Sequence, residues 1–167
     1  KLYKLDVVIL ATGFDAMTGA LLNIDIRGRK NISLNKKWKN GPKTFLGLST
    51  ESFPNLFMVS GPGSPSVLTN MLVSIEQHVN WIFECIEYVN QNNYQTIEAS
   101  VKAQNSWVNH NKEVSKDHVR SSCNSWYIGA NIEGKSRVFM PYVGGFPEYV
   151  KKCNDISNND YNGFIFK

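Results

Sequence analysis

The chain has 167 residues, of which 42% are hydrophobic and 12% aromatic, and this composition excludes a disordered protein. Its net charge of +4 comes from dispersed lysines, so nothing in the composition indicates non-specific nucleic-acid binding. The length suits about one domain with a core of its own, and no apolar run reaches transmembrane length.

The three cysteines are Cys85, Cys123 and Cys153, and none belongs to a Cys-x-x-Cys pair. An odd number of widely spaced cysteines is typical of reduced thiols, and it gives no ligand pattern for a metal. We therefore expect a cytoplasmic protein without a metal site. Because the chain opens at Lys1 and runs directly into an apolar stretch, we also expect it to be a piece of a longer protein.

Residues 5–10 form a continuous apolar run that predicts a strand buried on both faces. The small residues that follow, Ala11, Thr12 and Gly13, would let a second backbone or a cofactor approach the end of this strand. Ordinary packing at a strand end is the alternative interpretation of these small residues.

Apolar alternation over residues 21–26 and 32–34 predicts a hairpin whose tip, residues 27–30, is basic. This tip suits either a phosphate group or exposure to solvent. Residues 44–48 predict a further short extended segment, and residues 56–59 predict a short buried strand.

Residues 61–65 contain two glycines and two prolines, which predict a tight turn after that strand. Apolar residues then recur in steps of three and four, which predicts a long helix to about Asn90. Its apolar face would contain Leu68, Leu72, Ile75, Val79, Ile82, Ile86 and Val89. A strand, a tight turn and a helix N-terminus suit a phosphate, or a ring system that gains negative charge. Ser66 stands where the dinucleotide fingerprint has its third glycine, so a plain connection is the alternative.

The three histidines and Thr96 predict features of the fold and give no indication of a catalytic or metal site. His78 flanks the apolar face and is expected at the surface. Thr96 predicts the N-cap of a second helix over residues 97–116. His110 and His118 have no carboxylate or cysteine neighbours, so we expect neither metal nor triad chemistry from them.

Residues 122–135 have no clear period and combine Trp126 with glycines and polar residues, which predicts an aromatic loop that covers something. Residues 137–140 predict a short strand, Pro147 marks the start of a last helix, and residues 163–166 predict an edge strand. The residues by themselves indicate an α/β protein and do not specify a reaction.

Three stretches carry a resemblance to a known family. They are residues 6–15 (Asp-Val-Val-Ile-Leu-Ala-Thr-Gly-Phe-Asp), residues 53–81, and residues 124–135 with the Tyr-Val-Gly-Gly of residues 142–145. In this order they resemble the C-terminal part of a Baeyer–Villiger monooxygenase, similar to phenylacetone, steroid and cyclohexanone monooxygenases. The resemblance runs over essentially the whole chain.

The resemblance implies a fold as well. The expected fold is the C-terminal portion of an α/β flavoprotein with two dinucleotide-binding (Rossmann-like) domains, incomplete as given, with a hairpin, a long helix, a second helix and a C-terminal helix. Residues 1–15 would end the NADP domain and cross over from it. Residues 16–95 would belong to the FAD domain, and residues 96–167 would supply C-terminal helices and a mobile aromatic loop.

The resemblance further implies an FAD- and NADPH-dependent enzyme that inserts one oxygen atom of O2 into a ketone to give an ester or lactone. The implied cofactor-binding residues are Ala11, Thr12, Gly13, Gly61, Asn70, Met71 and Trp126. The implied substrate-pocket residues are Ser66, Val67, Leu68 and Met71. The partners would be a small ketone and O2, with no nucleic acid and no membrane, and the chain would self-associate through its unpaired strand.

Departures from the family pattern limit what this chain is expected to do by itself. Neither Gly-x-Gly-x-x-Gly motif of the family lies in the sequence, and none of the four arginines matches the position of the family's active-site arginine; they are Arg27, Arg29, Arg120 and Arg137. We therefore expect no catalytic residue in this segment and no activity from it alone. A flavin monooxygenase that oxygenates nitrogen or sulfur, and a non-catalytic binding module, are the alternatives.

Overall fold

The computed structural model describes residues 1–11 and 13–167, and helices dominate them. The α-helices are α1 (Gly19–Leu22), α2 (Leu34–Lys37), α3 (Met71–Gln91), α4 (Val101–Ser115), α5 (Val119–Ser122) and α6 (Phe146–Ser157). Three 3-10 turns lie at Arg29–Asn31, Ser66–Leu68 and Trp126–Ile128. In this described part, the strands are β1 (Ile97–Ala99) and β2 (Phe164–Phe166), which form one two-stranded sheet. The mixed helix and strand content agrees with the predicted class, although the sheet is small.

The sheet confirms the strand predicted at residues 163–166 and corrects the start of the second helix. Strands β1 and β2 are antiparallel, with Glu98 opposite Ile165. Thr96 belongs to this ladder, because its N–H donates to the Lys167 carbonyl at 2.8 Å. The predicted cap at Thr96 is therefore wrong: Ser100 caps α4, since its hydroxyl accepts from the Ala103 N–H at 3.1 Å.

Helix α3 confirms the long helix, but it buries a different face from the predicted one. The buried residues are Ser74, His78, Trp81, Cys85 and Val89, which also recur in steps of three and four. Leu72, on the predicted face, is 76% exposed, and Val79 and Ile86 are exposed too. The surface position predicted for His78 is wrong, because the histidine is fully buried. The prediction used the spacing of aliphatic residues alone, so it could not identify a buried face that contains serine, histidine and cysteine.

Several predicted strands are absent from the described residues. Residues 5–10 form no ladder, and their side chains are exposed, with Ile9 at 85%. Residues 44–48, 56–59 and 137–140 form no strand. Their backbone bonds are isolated ones, such as the bridge between Phe45 and Ser49 and the 2.8 Å bond from the Met58 N–H to the Leu48 carbonyl. An apolar run becomes a strand only where a neighbouring backbone completes its ladder, and the described chain offers these segments none.

The predicted hairpin is wrong except at its tip. Leu21 and Leu22 are helical, and the chain reverses through one antiparallel bridge between Arg27 and Ser33. The basic tip is held by carboxylates: Arg27 pairs with Asp25 at 2.7 Å, and Arg29 pairs with Glu98 at 2.8 Å. These pairs favour a structural role for the tip over phosphate binding.

The main hydrophobic core joins α3, α4 and α6 to the loop around Leu46. Trp81 on α3 donates its indole N–H to the Cys153 carbonyl on α6 at 3.0 Å. Tyr149 on α6 donates its hydroxyl to the Leu46 carbonyl at 2.8 Å. A smaller cluster contains Leu34, Trp38, Phe53 and Met58. Helix α6 begins with Pro147 and Glu148 in its first turn, which confirms the last predicted helix.

The cysteines are free thiols, which confirms the reduced state expected from their spacing. Burial raises the pKa of the Cys85 and Cys153 thiols to about 12, so both are unreactive at neutral pH. Cys123 is exposed. Among the helices of residues 1–11 and 13–167, none has the length and apolar character needed to cross a bilayer.

Candidate functional site

One cavity of about 820 Å³ lies where three separate parts of the chain meet. One wall consists of Ala11, Gly13, Phe14, Ala16 and Met17. The segment from Ser60 to Met71 forms the second wall. The loop from Asn124 to Asn131 closes the third side. Each wall lies within or beside one of the three stretches that carry the family resemblance.

The predicted site residues divide into those that line this cavity and those that do not. The predicted residues that line it are Ala11, Gly13, Ser66, Val67, Met71 and Trp126. Thr12 lies outside the described residues. Gly61, Leu68 and Asn70 are not among the described residues that line the cavity. The lining residues missed by the site prediction are Phe14, Ala16, Met17, Ser60, Asn124, Ser125 and Asn131.

Most of the missed residues are polar or small and stand next to predicted ones. Asn124, Ser125 and Asn131 flank Trp126 in the same loop. These three residues could have been predicted from their place in residues 124–135, one of the stretches that resemble the family. Polar residues are common in loops, so their type alone does not indicate a site. Ser60 also lies in a family-like stretch, but its place between the predicted strand and the predicted turn did not indicate a site.

The glycine turn is built by contacts with its own chain. The Gly63 N–H donates to the Met140 carbonyl at 2.7 Å, and the Gly63 carbonyl accepts from the Trp107 indole at 3.0 Å. Gly63 has φ +87°, and a Cβ there would lie 2.7 Å from the Thr44 hydroxyl oxygen. A Cβ on Gly61 would lie 2.4 Å from the Gly47 carbonyl oxygen. The glycines are thus required by packing against Thr44 and Gly47, whatever the cavity holds.

Two serines in the wall have an unusual backbone conformation. Ser60 has φ 56° and Ser66 has φ 37°, both in the left-handed region that non-glycine residues seldom adopt. Such conformations persist only where the surrounding structure holds them, and they cluster at ligand sites. The wall from Ser60 to Ser66 is therefore strained at both ends.

Three hydroxyl groups in the cavity wall have no hydrogen-bond partner among the described residues. They belong to Ser60, Ser66 and Ser125, and each oxygen is buried. Buried hydroxyls are normally paired, so these three are unsatisfied polar groups behind the surface of the cavity. The cavity itself combines a largely apolar lining with a few polar residues, among them Asn124 and Asn131, as small-molecule sites do.

Helix α3 points its N-terminus at this cavity. Met71 is the first residue of the helix and lines the cavity, and the Asn70 side chain caps the helix by accepting from the Leu72 N–H at 3.1 Å. The first turn has no acidic residue, so the positive end of the helix dipole is not neutralised within the helix. This end of the cavity suits a group that carries or gains negative charge.

The aromatic loop is tied to the first wall by an ion pair and by hydrogen bonds. The Lys135 ammonium lies 2.5 Å from an Asp15 carboxylate oxygen and 2.6 Å from the Thr18 hydroxyl. Burial raises the pKa of Asp15, but hydrogen bonds from Lys135 and Thr18 outweigh it and hold that pKa below its ordinary value. Trp126 is half-buried in this loop and stacks on Tyr127, with ring centroids 4.2 Å apart.

Comparison with known proteins confirms the resemblance to Baeyer–Villiger monooxygenases. No family model matches the chain. The chain is 37% identical over 161 residues to cyclohexanone 1,2-monooxygenase of Acinetobacter sp, covering 96% of this chain and 29% of that protein. It is 37% identical over 163 residues to phenazine N-monooxygenase PhzNO1 of Lysobacter antibioticus, covering 98% and 30%.

Solved structures agree with the sequence relatives. The structure of cyclohexanone monooxygenase from Rhodococcus sp. Phi1 bound to NADP+ has a TM-score of 0.94 and 36% identity, covering 100% of this chain and 31% of that one. The structure of OTEMO in complex with FAD and NADP has a TM-score of 0.91 and 36% identity, covering 100% and 30%. The chain thus spans about a third of the length of the proteins it matches.

Proposed function

We propose that this chain is the C-terminal part of an FAD- and NADPH-dependent Baeyer–Villiger monooxygenase, which inserts one oxygen atom of O2 into a small ketone to give an ester or lactone. The observation that carries the proposal is the convergence of the three family-like stretches on one cavity of about 820 Å³. A cytoplasmic location fits the free thiols.

The residues around the cavity suit a flavin and a nicotinamide nucleotide. When bound, these groups supply the electrons and activate O2. The polar lining residues Asn124 and Asn131 suit ligands rich in hydrogen-bonding groups. The N-terminus of α3 at Met71 favours the negative charge that a flavin ring gains on reduction.

The substrate and nucleotide roles divide between two walls. Ser66, Val67 and Met71 would bind and orient the ketone, with Leu68 behind them, and Ala11, Thr12 and Gly13 would lie against a cofactor. Trp126 would cover the nucleotide and exclude water from the cavity. Gly61 would act only by shaping the turn, because it packs against Gly47. Asn70 would act through its cap of α3.

The domain assignment follows the same proposal. Residues 1–15 would leave an NADP-binding Rossmann-like domain, residues 16–95 would complete an FAD-binding domain, and residues 96–167 would carry the covering loop and last helices. The exposed apolar side chains of residues 5–10 support this assignment, because a strand of a parallel sheet needs neighbours on both sides.

N-oxygenation is the second candidate, and a specific similarity favours it. Phenazine N-monooxygenase PhzNO1 matches this chain at 37% identity, as high as the cyclohexanone enzyme does. The cavity residues described above do not separate a ketone from an aromatic nitrogen heterocycle, so both belong in the substrate panel.

The test is to express the complete reading frame and purify the product. We expect a yellow protein that oxidises NADPH faster when a ketone is added and forms the ester or lactone. A protein without flavin, or one whose NADPH oxidation no ketone accelerates, would contradict the proposal. N-oxide formation from phenazine with no ketone product would establish the second candidate.

The isolated chain provides a second test. Both glycine motifs that bind the dinucleotide pyrophosphates are missing from it, so it should not retain FAD. Titration of the purified chain with FAD, followed by flavin fluorescence, measures this. Micromolar or tighter binding would show that the cavity alone forms a complete flavin site.

A further inference from the structure

His78 is a fully buried histidine that contacts the cavity wall without lining the cavity. It lies on α3, seven residues after Met71, and its ring packs edge-on against Tyr149 with centroids 5.5 Å apart. The ring nitrogen Nδ1 lies 3.1 Å from the Ser60 backbone nitrogen. Nε2 lies 3.5 Å from the Ser74 hydroxyl oxygen.

These contacts define the state of the ring. A backbone N–H can only donate, so Nδ1 must accept from Ser60 and must itself carry no proton. The ring is then neutral, with its proton on Nε2 facing Ser74. Burial favours the same neutral form, because it lowers the pKa of His78 from 6.5 to about 4.

Ser60 is the point at which this hydrogen bond matters. Its φ of 56° is unfavourable for serine. The next residue, Gly61, has no room for a side chain, because a Cβ there would lie 2.4 Å from the Gly47 carbonyl oxygen. If the His78 acceptor were lost, the Ser60 N–H would be left without its partner, and the strained backbone would relax toward negative φ. The wall that begins at Ser60 would then move relative to Met71, which stands on the same helix as His78.

We propose that His78 is a positioning residue of the oxygenation site, which holds Ser60 in its left-handed conformation and so fixes the turn against α3. The inference rests on the proposed function and adds a residue that touches neither substrate nor cofactor. If this is correct, the acceptor at Nδ1 of His78 is needed only because Ser60 has a positive φ. A glycine at position 60 adopts positive φ without strain and should therefore make the acceptor unnecessary.

The test uses the full-length enzyme and four variants. His78→Leu keeps apolar volume without an acceptor, and His78→Asn keeps an acceptor oxygen at the Nδ1 position. Ser60→Gly adopts positive φ without strain, both alone and combined with His78→Leu. The measurements are FAD content, thermal unfolding, ketone KM and kcat, and the fraction of NADPH oxidation that yields product.

We expect His78→Leu to raise the ketone KM about tenfold and to lower the productive fraction, with FAD content nearly retained. His78→Asn should stay within about threefold of the wild-type KM. The double variant should return to the KM of Ser60→Gly alone, which sets the baseline for a missing Ser60 hydroxyl. A residue that served stability alone would change the unfolding temperature without this pattern.

The opposite results overturn the inference. They are a wild-type KM in His78→Leu, or a double variant no better than His78→Leu. If His78→Leu fails to fold, a double variant that folds and turns over ketone supports the inference, and one that also fails to fold contradicts it. A wild-type enzyme without flavin turnover overturns the proposed function itself, and with it this role for His78.

Discussion

At the scale of single residues, the four tryptophans divide into two kinds. Trp38, Trp81 and Trp107 are buried in the two hydrophobic clusters, whereas Trp126 is half-buried and lines the cavity. Burial of an indole ring is a large part of the stability of a small domain. The first three tryptophans therefore stabilise the fold, whereas Trp126 contributes less to the hydrophobic clusters.

The first prediction compares two of these tryptophans. Trp107→Ala should lower the free energy of unfolding by about 3–5 kcal/mol, because it empties a core site and leaves the Gly63 carbonyl without its donor. Trp126→Ala should lower it by less than about 3 kcal/mol. Denaturant unfolding measures both, and in the full-length enzyme Trp126→Ala should instead weaken NADP retention. An equal loss of stability in the two variants would make Trp126 a core residue.

The second prediction concerns pH and His78. Burial lowers the pKa of His78 from 6.5 to about 4. Between these pH values the His78 ring is protonated in the unfolded chain and neutral in the folded chain. The free energy of unfolding is therefore unaffected by this group above pH 6.5 and falls by about 3 kcal/mol as the pH is lowered through 4.

His78→Asn is the control for this effect, because asparagine does not titrate. The pKa of His110 is lowered too, and those of Asp15 and Glu51 are held low, but these groups titrate equally in both proteins. The difference in unfolding free energy between wild type and His78→Asn should therefore change between pH 7 and pH 4. A constant difference would show that His78 is not buried as described.

At the candidate site, the sequence predicted several residues that the fold brings together, while their roles stay predictions. Six of the ten predicted residues line one cavity, because they fell within stretches that resemble a family. His78 was misplaced because histidine contributes little to a hydrophobic pattern, and the buried ring finds its partner in the distant Ser60 N–H. A hydrogen bond between residues 18 positions apart leaves no periodic trace in a sequence.

At the scale of elements, the three long helices α3, α4 and α6 were predicted well, and the strands and the short helices poorly. Helices α3 and α6 carry their own signals: a long apolar period in one, and Pro147 with Glu148 in the other. Those signals are local, and so is helix hydrogen bonding. A strand depends on partners elsewhere, and only residues 164–166 found theirs, in β1.

The third prediction tests the glycine turn against a matched glycine. Gly63 and Gly134 both have positive φ, but a Cβ on Gly134 would meet nothing within 4 Å, whereas Gly63 is crowded by Thr44. Gly63→Ala should lower the free energy of unfolding by about 2–5 kcal/mol, and Gly134→Ala by about 1 kcal/mol. Thermal or denaturant unfolding distinguishes them. Equal effects would mean that the turn yields to a side chain.

The fourth prediction separates the cap of α4 from the ladder that precedes it. Ser100→Ala should lower the free energy of unfolding by about 1 kcal/mol, because it removes the acceptor for the Ala103 N–H. Thr96→Val should leave stability unchanged or raise it by about 1 kcal/mol, because the Thr96 hydroxyl is buried without a partner among the described residues. The reverse ranking in urea unfolding would restore Thr96 as the cap.

At the scale of the whole molecule, the apolar surface is unevenly distributed. Residues 7–10 expose an unbroken apolar segment, and Leu72, Val79 and Ile86 expose one face of α3. An extended apolar segment with unpaired backbone groups is a ready partner for a second chain. The isolated chain should therefore self-associate.

The fifth prediction tests that association with a matched pair of charges. Val7 and Val119 are 74% and 76% exposed, but only Val7 lies in the apolar segment. In the isolated chain, Val7→Lys should reduce concentration-dependent association, and Val119→Lys should not. Sedimentation velocity at several concentrations measures it. Equal behaviour of the two variants would place the contact elsewhere.

The distribution of the tryptophans also gives the protein an internal optical probe. Because three indoles are buried in hydrophobic clusters, a water-soluble quencher such as acrylamide should reach chiefly the emission of Trp126. Changes in quenching on addition of a nucleotide or ketone would then report how far the ligand covers Trp126, without any attached dye. Trp126→Phe would remove that signal and leave the emission of the three buried indoles as an internal reference.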